Sequence, residues 1–193
     1  MARTITSSQT SSASSASVPE QASLGHLLAL LGLGALLAFG HRAWDIDLGL
    51  PGHYGLVWMA GVMVARNGSA TRWAAVTTAA GYMGTIALLA HGAGASMQAP
   101  IYGLCALAVD GAWLAGLRRG RHLALIALTG GVAFMLKPLA VYLLAHGVQL
   151  HLGKLRHGPL FSLMTHFGFG AVGAVIGTQL VELSRRAAGG ARD

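Results

Sequence analysis

Apolar stretches of roughly membrane length recur six times along this chain, and the connections between them, together with the two tails, hold almost all of its charge. One helical crossing of a bilayer needs about 20 mostly apolar residues. Such stretches run over residues 24–40, 54–65, 73–90, 99–117, 123–145 and 160–183. The second is short and borrows turns from the Leu50–His53 approach. Of the 193 residues, 54% are hydrophobic and only 10% are charged, whereas soluble domains hold roughly a quarter charged. A soluble protein this small could not cover so much apolar surface with so few charges, but lipid solvates that surface directly. The expected fold is all-α: a polytopic six-helix bundle over residues 23–186. A Ser-, Thr- and Ala-rich disordered tail is expected over 1–22 and a short C-terminal tail over 187–193. The N-terminal segment is not a typical secretory signal, because its apolar run starts late and lacks a clear small-residue cleavage site.

The net charge of +7 points to topology rather than to nucleic acid, because the bases cluster at the ends of apolar segments. With six spans, the tails and even-numbered loops share one side. That side carries Arg3, Arg66, Arg72, Arg118, Arg119, Arg121, Arg185, Arg186 and Arg192, against Arg42, Lys154 and Arg156 opposite. The bias places both termini in the cytoplasm of a cell (inner or plasma) membrane. Connections on the outer side, residues 42–53, 91–98 and 147–157, are longer and carry His, Asp, Gly and Pro. Loops of this kind commonly hold function while the helices hold the frame.

Charges at membrane depth are costly and mark function or pairing. Asp110, Lys137 and His166 lie within spans four, five and six. Helical rise puts Lys137 and His166 at similar height, roughly 10–15 Å below the outer surface, with Asp110 deeper. Asp110 either pairs with Lys137 to fix helix register or pairs with a cytoplasmic arginine. On the functional reading, Lys137, followed by Pro138, forms the floor of an outward-facing cavity for an anionic or carbonyl-bearing solute. The stretch from Trp44 to Trp58 mixes Asp45 and Asp47 with glycines, Pro51, His53 and Tyr54. It reads either as a lid over a pocket or as an interfacial loop whose Trp44, Tyr54 and Trp58 form an aromatic belt.

Candidate solute-binding residues are Asp45, His53, Tyr54 and Trp58 from this lid and its helix, with Gln98, Tyr102, Lys137, Tyr142 and His166 from deeper down. Lys137 would neutralise a solute charge, the aromatic rings would stack on it, and His and Gln would set hydrogen bonds. Outer-side histidines (His41, His53, His91, His146, His151 and His157) offer a transition-metal alternative, although none sits at a tight ligand spacing. The sole cysteine, Cys105, lies inside an apolar segment, which excludes an intrachain disulfide or a Cys-based zinc site. Hydrolase, zinc-protease and phosphate-loop motifs are missing, so neither an enzyme nor a cofactor is expected.

Small residues recur four apart on several helices: Ala75 and Ala79, Ala108, Ala112 and Gly116, and Gly173 and Gly177, preceded by Gly170. Such stripes pack helices inside one bundle or dock another membrane subunit. Six helices, cytoplasmic termini, about 190 residues and a structured first outer loop together resemble the substrate-binding S component of energy-coupling factor transporters. The resemblance covers residues 24–186 as a layout. It implies capture of a vitamin or a metal ion in an outward-facing pocket under a lid formed by the first outer loop. It also implies docking to a transmembrane coupling subunit with ATPases on separate chains, followed by toppling in the membrane. That family docks through an Ala-x-x-x-Ala pattern on its first helix. The nearest matches here are Gly34 with Ala38 and Gly25 with Ala29. Two other classes stand beside this one: a structural or assembly membrane protein, and a metal-ion uptake subunit.

Overall fold

The computed structural model describes residues 23–43, 50–89, 93–116, 122–147 and 158–190, with backbone alone for 93–98 and 145–147. The described residues form helices and turns, with no strand among them. Six helices follow in order: α1 (Leu24–Ala43), α2 (Gly55–Gly68), α3 (Ala74–Leu89), α4 (Ala93–Leu114), α5 (Leu123–Gly147) and α6 (Pro159–Gly190). All six predicted spans are helical, with boundaries shifted by a few residues, except that α4 starts earlier and α6 ends later. Three helices, Leu24–Ala43, Leu123–Leu144 and Pro159–Gly190, are long and apolar enough to cross a membrane. Large apolar side chains point outward from them and their neighbours; Leu88 is 86% exposed and Leu160 69%. Such a surface is stable only where lipid replaces water, so this is an all-helical membrane protein.

The helices differ in length for a reason visible in their burial. At 14 residues α2 is about 21 Å long, short of the roughly 30 Å hydrocarbon core. It lies innermost, touching α1, α3, α5 and α6. Its Trp58, Met59, Val62 and Met63 are almost wholly buried. At 32 residues α6 is about 48 Å long and continues past the expected boundary at Arg186 to Gly190.

Glycine sets the helix spacing. A methyl group built on Gly34 of α1 would collide with the backbone of α3 at Thr78, and one on Gly81 of α3 with that of α1 at Leu31. Gly173 and Gly177 of α6 meet α2 in the same way at Leu56 and Ala60. Gly130 of α5 and Gly170 of α6 face each other. With no lipid-to-protein hydrophobic gain available, close backbone contact is the main source of helix association. These stripes therefore serve packing within the chain. The expected docking pair Gly34 and Ala38 is corrected on this point: both are buried, Gly34 against α3, so no second subunit reaches them. Gly25 and Ala29, about two and a half turns nearer the helix start, are exposed.

The expected Asp110–Lys137 pair is absent, and the arginine alternative holds. Arg66 of α2 bonds Asp110 of α4 at 2.9 Å (Nη1 to Oδ1). Its guanidinium also donates to the carbonyls of Arg72 (2.9 Å) and Ser69 (3.1 Å). Asp110 in turn accepts from the backbone N–H groups of Ala75 (3.3 Å) and Val76 (2.9 Å) in the first turn of α3. Those N–H groups have no partner within the helix, and the carboxylate complements the positive helix end. One acid thus ties α2, α3 and α4 together. Arg66, read from sequence as a surface anchor of topology, is only 3% exposed because this acid and these carbonyls absorb its charge.

Candidate functional site

About 12 Å along α4 from Asp110, eight residues toward its start, the bundle interior changes character. Tyr102 is buried there among Trp58 of α2, Tyr82 of α3 and Phe134 of α5, with ring centroids 5.1, 4.8 and 6.3 Å away. Lys137 stands one turn after Phe134, and that spacing puts both on one face of α5. Its ammonium donates to the Tyr102 hydroxyl at 2.6 Å. It also lies 4.5 Å from the centre of the Tyr102 ring and 5.9 Å from that of Phe134, within cation–π range. The other described carboxylates are engaged elsewhere, Asp110 with Arg66 and Glu182 with Arg186. Among the described residues no acid faces Lys137.

Two histidines frame the cluster. His166 of α6 is buried, stacks on Phe134 with centroids 5.3 Å apart, and bonds the Ser162 carbonyl through Nδ1 at 2.7 Å. A carbonyl only accepts, so Nδ1 carries the proton and Nε2 is left as the second polar atom. His41 of α1 lies nearly parallel to Tyr54, with centroids 3.8 Å apart and planes at 13°, and its Nδ1 is 2.5 Å from the Tyr82 hydroxyl. The Tyr54 hydroxyl donates to the carbonyl of Leu37.

The turn over residues 50–54 closes this end. His53 Nδ1 donates to the Leu50 carbonyl (2.9 Å), and Gly55 N–H donates to the Gly52 carbonyl (2.8 Å). Gly52 has φ of +84°, which side chains disfavour, and a Cβ there would sit 2.7 Å from the His166 ring. Glycine at 52 therefore both permits the turn and lets it rest on His166.

Tyr54, Trp58, Tyr102, Lys137 and His166 of the expected set thus converge. His53 holds the turn above them. Tyr142 does not join them: it lies on a more exposed face of α5, five residues past Lys137. Asp45 lies outside the described residues, as does the side chain of Gln98. The aromatic-belt reading is corrected for Trp58, which is wholly buried, while Tyr54 is half-buried against His41. Trp58 Nε1 has no hydrogen-bond partner among the described residues. Sequence reasoning missed Tyr82, Phe134 and the role of His41. A tyrosine in mid-span needs a partner for its hydroxyl, which marks Tyr82, and Phe134 shares a helix face with Lys137.

Among the described residues no three His, Cys, Asp or Glu side chains gather as metal ligands. A cavity of about 10 Å³ lies toward the Arg66 end, lined by Met63, Val109, Trp113, Leu125, Ile126 and Thr129, and is apolar. The aromatic cluster is filled by its own side chains. No family model, curated protein or solved structure matches the chain.

Proposed function

We propose that this protein is a substrate-capture membrane subunit of an uptake transporter, akin to the S component of energy-coupling factor transporters. It would cross a cell membrane six times with both termini cytoplasmic, the shorter helices α2 and α3 being carried within the bundle. Lys137 carries this reading: a cation within the bundle, with no acid facing it among the described residues, held by a tyrosine hydroxyl and two ring faces. A charge at membrane depth needs compensation. The same chain gives Arg66 a carboxylate and two carbonyls, although its Nε has no partner among the described residues, so the acid-free shell of Lys137 reads as reserved for a solute. The aromatic cluster is then the closed form of the site, and parting the stack of His41 on Tyr54 opens it beneath the 50–54 turn. A coupling subunit with ATPases on separate chains would supply energy, and Gly25 with Ala29 remains as the exposed small-residue pair on α1 for its docking.

The filled interior favours one competing reading, a structural or assembly protein whose aromatic cluster never opens. Cys105 separates the two. It is the sole cysteine, wholly buried, and one turn after Tyr102. Capture requires that a small water-soluble thiol reagent modify Cys105 in the native protein in detergent. Vitamins and divalent metals are then screened for ligands that raise the melting temperature, and a bound ligand should slow that modification. A thiol that reacts only after denaturation would leave the structural reading standing and remove this one.

A further inference from the structure

Building on the capture reading, we infer that the solute is a flat, ring-bearing organic monoanion whose acidic group is met by the Lys137 ammonium and the Trp58 indole N–H. Two observations independent of each other point to an acceptor-rich, negatively charged ligand. Lys137 has three N–H donors, and among the described residues one is used, on Tyr102. Trp58 is wholly buried, and its Nε1, which can only donate, has no partner among the described residues. A buried donor left unsatisfied is costly and uncommon in native interiors. Both side chains flank the same two rings, Tyr102 and Phe134. Both donors therefore lie beside the same pair of rings, and the one charged group there among the described residues is the Lys137 ammonium.

The Lys137 ammonium repels a cationic solute, and the tyrosine hydroxyls of the cluster are each already engaged in one bond. The Tyr54 hydroxyl is bound to Leu37, the Tyr82 hydroxyl to His41, and the Tyr102 oxygen to Lys137. His166 uses Nδ1 on the Ser162 carbonyl, which leaves Nε2 to suit a carbonyl or hydroxyl on the solute ring. A carboxylate would accept charge-assisted bonds from the ammonium, which are roughly twice as strong as neutral ones. The walls set the shape. His41 and Tyr54 lie almost parallel, so a planar ring that replaces one of them keeps the stacking that the closed cluster already has.

The test uses the full-length protein in detergent and three compounds of matched shape: 2-naphthoate, 2-naphthamide and 2-naphthylmethylammonium. Each is titrated to millimolar concentration while thermal unfolding is followed, in the wild type and in K137Q and W58F. The naphthoate should bind at least about tenfold tighter than the amide, and the ammonium compound not at all. K137Q should erase the preference for naphthoate over amide, and W58F should weaken naphthoate severalfold while keeping the order. W58F retains Lys137, so it still tests the inference should K137Q fail to fold. Equal binding of amide and naphthoate, or preferred binding of the ammonium compound, would overturn the monoanion while leaving capture in place. Stabilisation by none of the three would count against capture itself.

Discussion

Two cations lie inside this bundle, and the chain treats them in opposite ways. Arg66 is met by a carboxylate and two carbonyls, and its acid also caps α3. Lys137 is met by one phenol oxygen and the faces of two rings. Both positions are costly for a charge, yet among the described residues only the first has a counter-charge, and even there the Arg66 Nε has no hydrogen-bond partner. Gly34, Gly81, Gly173 and Gly177 press helix backbones together, whereas Gly52 and Gly55 press on the rings of His166 and Phe134. The Arg66 end is held by an ion pair, and the other end is closed by aromatic side chains. Proteins commonly trade stability for function where a site must accept a ligand.

The largest expected effect breaks the compensated end. Asp110→Ala removes the partner of a buried arginine and two acceptors from the start of α3. It should cost about 3–5 kcal/mol, read as lost stability in reversible unfolding from mixed micelles. A cost comparable to that of a surface substitution would mean that water enters to solvate Arg66. Gly52→Ala probes the other end. The left-handed backbone alone costs about 1–2 kcal/mol with a side chain in place, and its methyl group would strike the His166 ring. The turn should lift, so Cys105 modification should accelerate; an unchanged rate would mean that this turn does not close the site. Lys137→Met should have the opposite sign to Asp110→Ala, leaving stability level or raising it by on the order of 1 kcal/mol, because no partner is orphaned beyond one tyrosine hydroxyl. A loss on the scale of Asp110→Ala would show Lys137 to be structural.

Much of this contrast was legible before the coordinates. Hydropathy alone located all six helices, because apolar length is a property of each segment by itself. The shared height of Lys137 and His166 followed from helical rise, and both touch Phe134. What one chain segment cannot disclose is its neighbour. Asp110 had two candidate partners, and only the fold, which brings the end of α2 to this acid, selects Arg66. Gly34 and Ala38 carried the spacing of a docking face, but spacing is identical whether the surface meets α3 or a second protein. Trp58 near a helix start looked interfacial, and the central position of α2 buries it instead. Tyr82 and Phe134 carry no charge, so only the hydroxyl of one and the helix face of the other set them apart from ordinary apolar residues.

The smallest expected effect concerns a third cation, and it tests whether burial rather than pairing governs the first. Arg186 and Glu182 stand four apart on α6 at 3.4 Å, with the arginine side chain 73% exposed. On paper this pair is as complementary as Arg66 with Asp110. Solvent screens it, however, and holding two long side chains together costs entropy, so Arg186→Ala should change stability by no more than about 0.5 kcal/mol. The same unfolding measurement that reads Asp110→Ala reads this variant. If both cost the same, charge pairing as such would set the stability of the Arg66 end, and the absence of a described acid beside Lys137 would cease to distinguish that site. If Arg186→Ala is near neutral while Asp110→Ala is severe, a cation enclosed in this bundle demands compensation, and Lys137 is the enclosed cation whose compensation is incomplete.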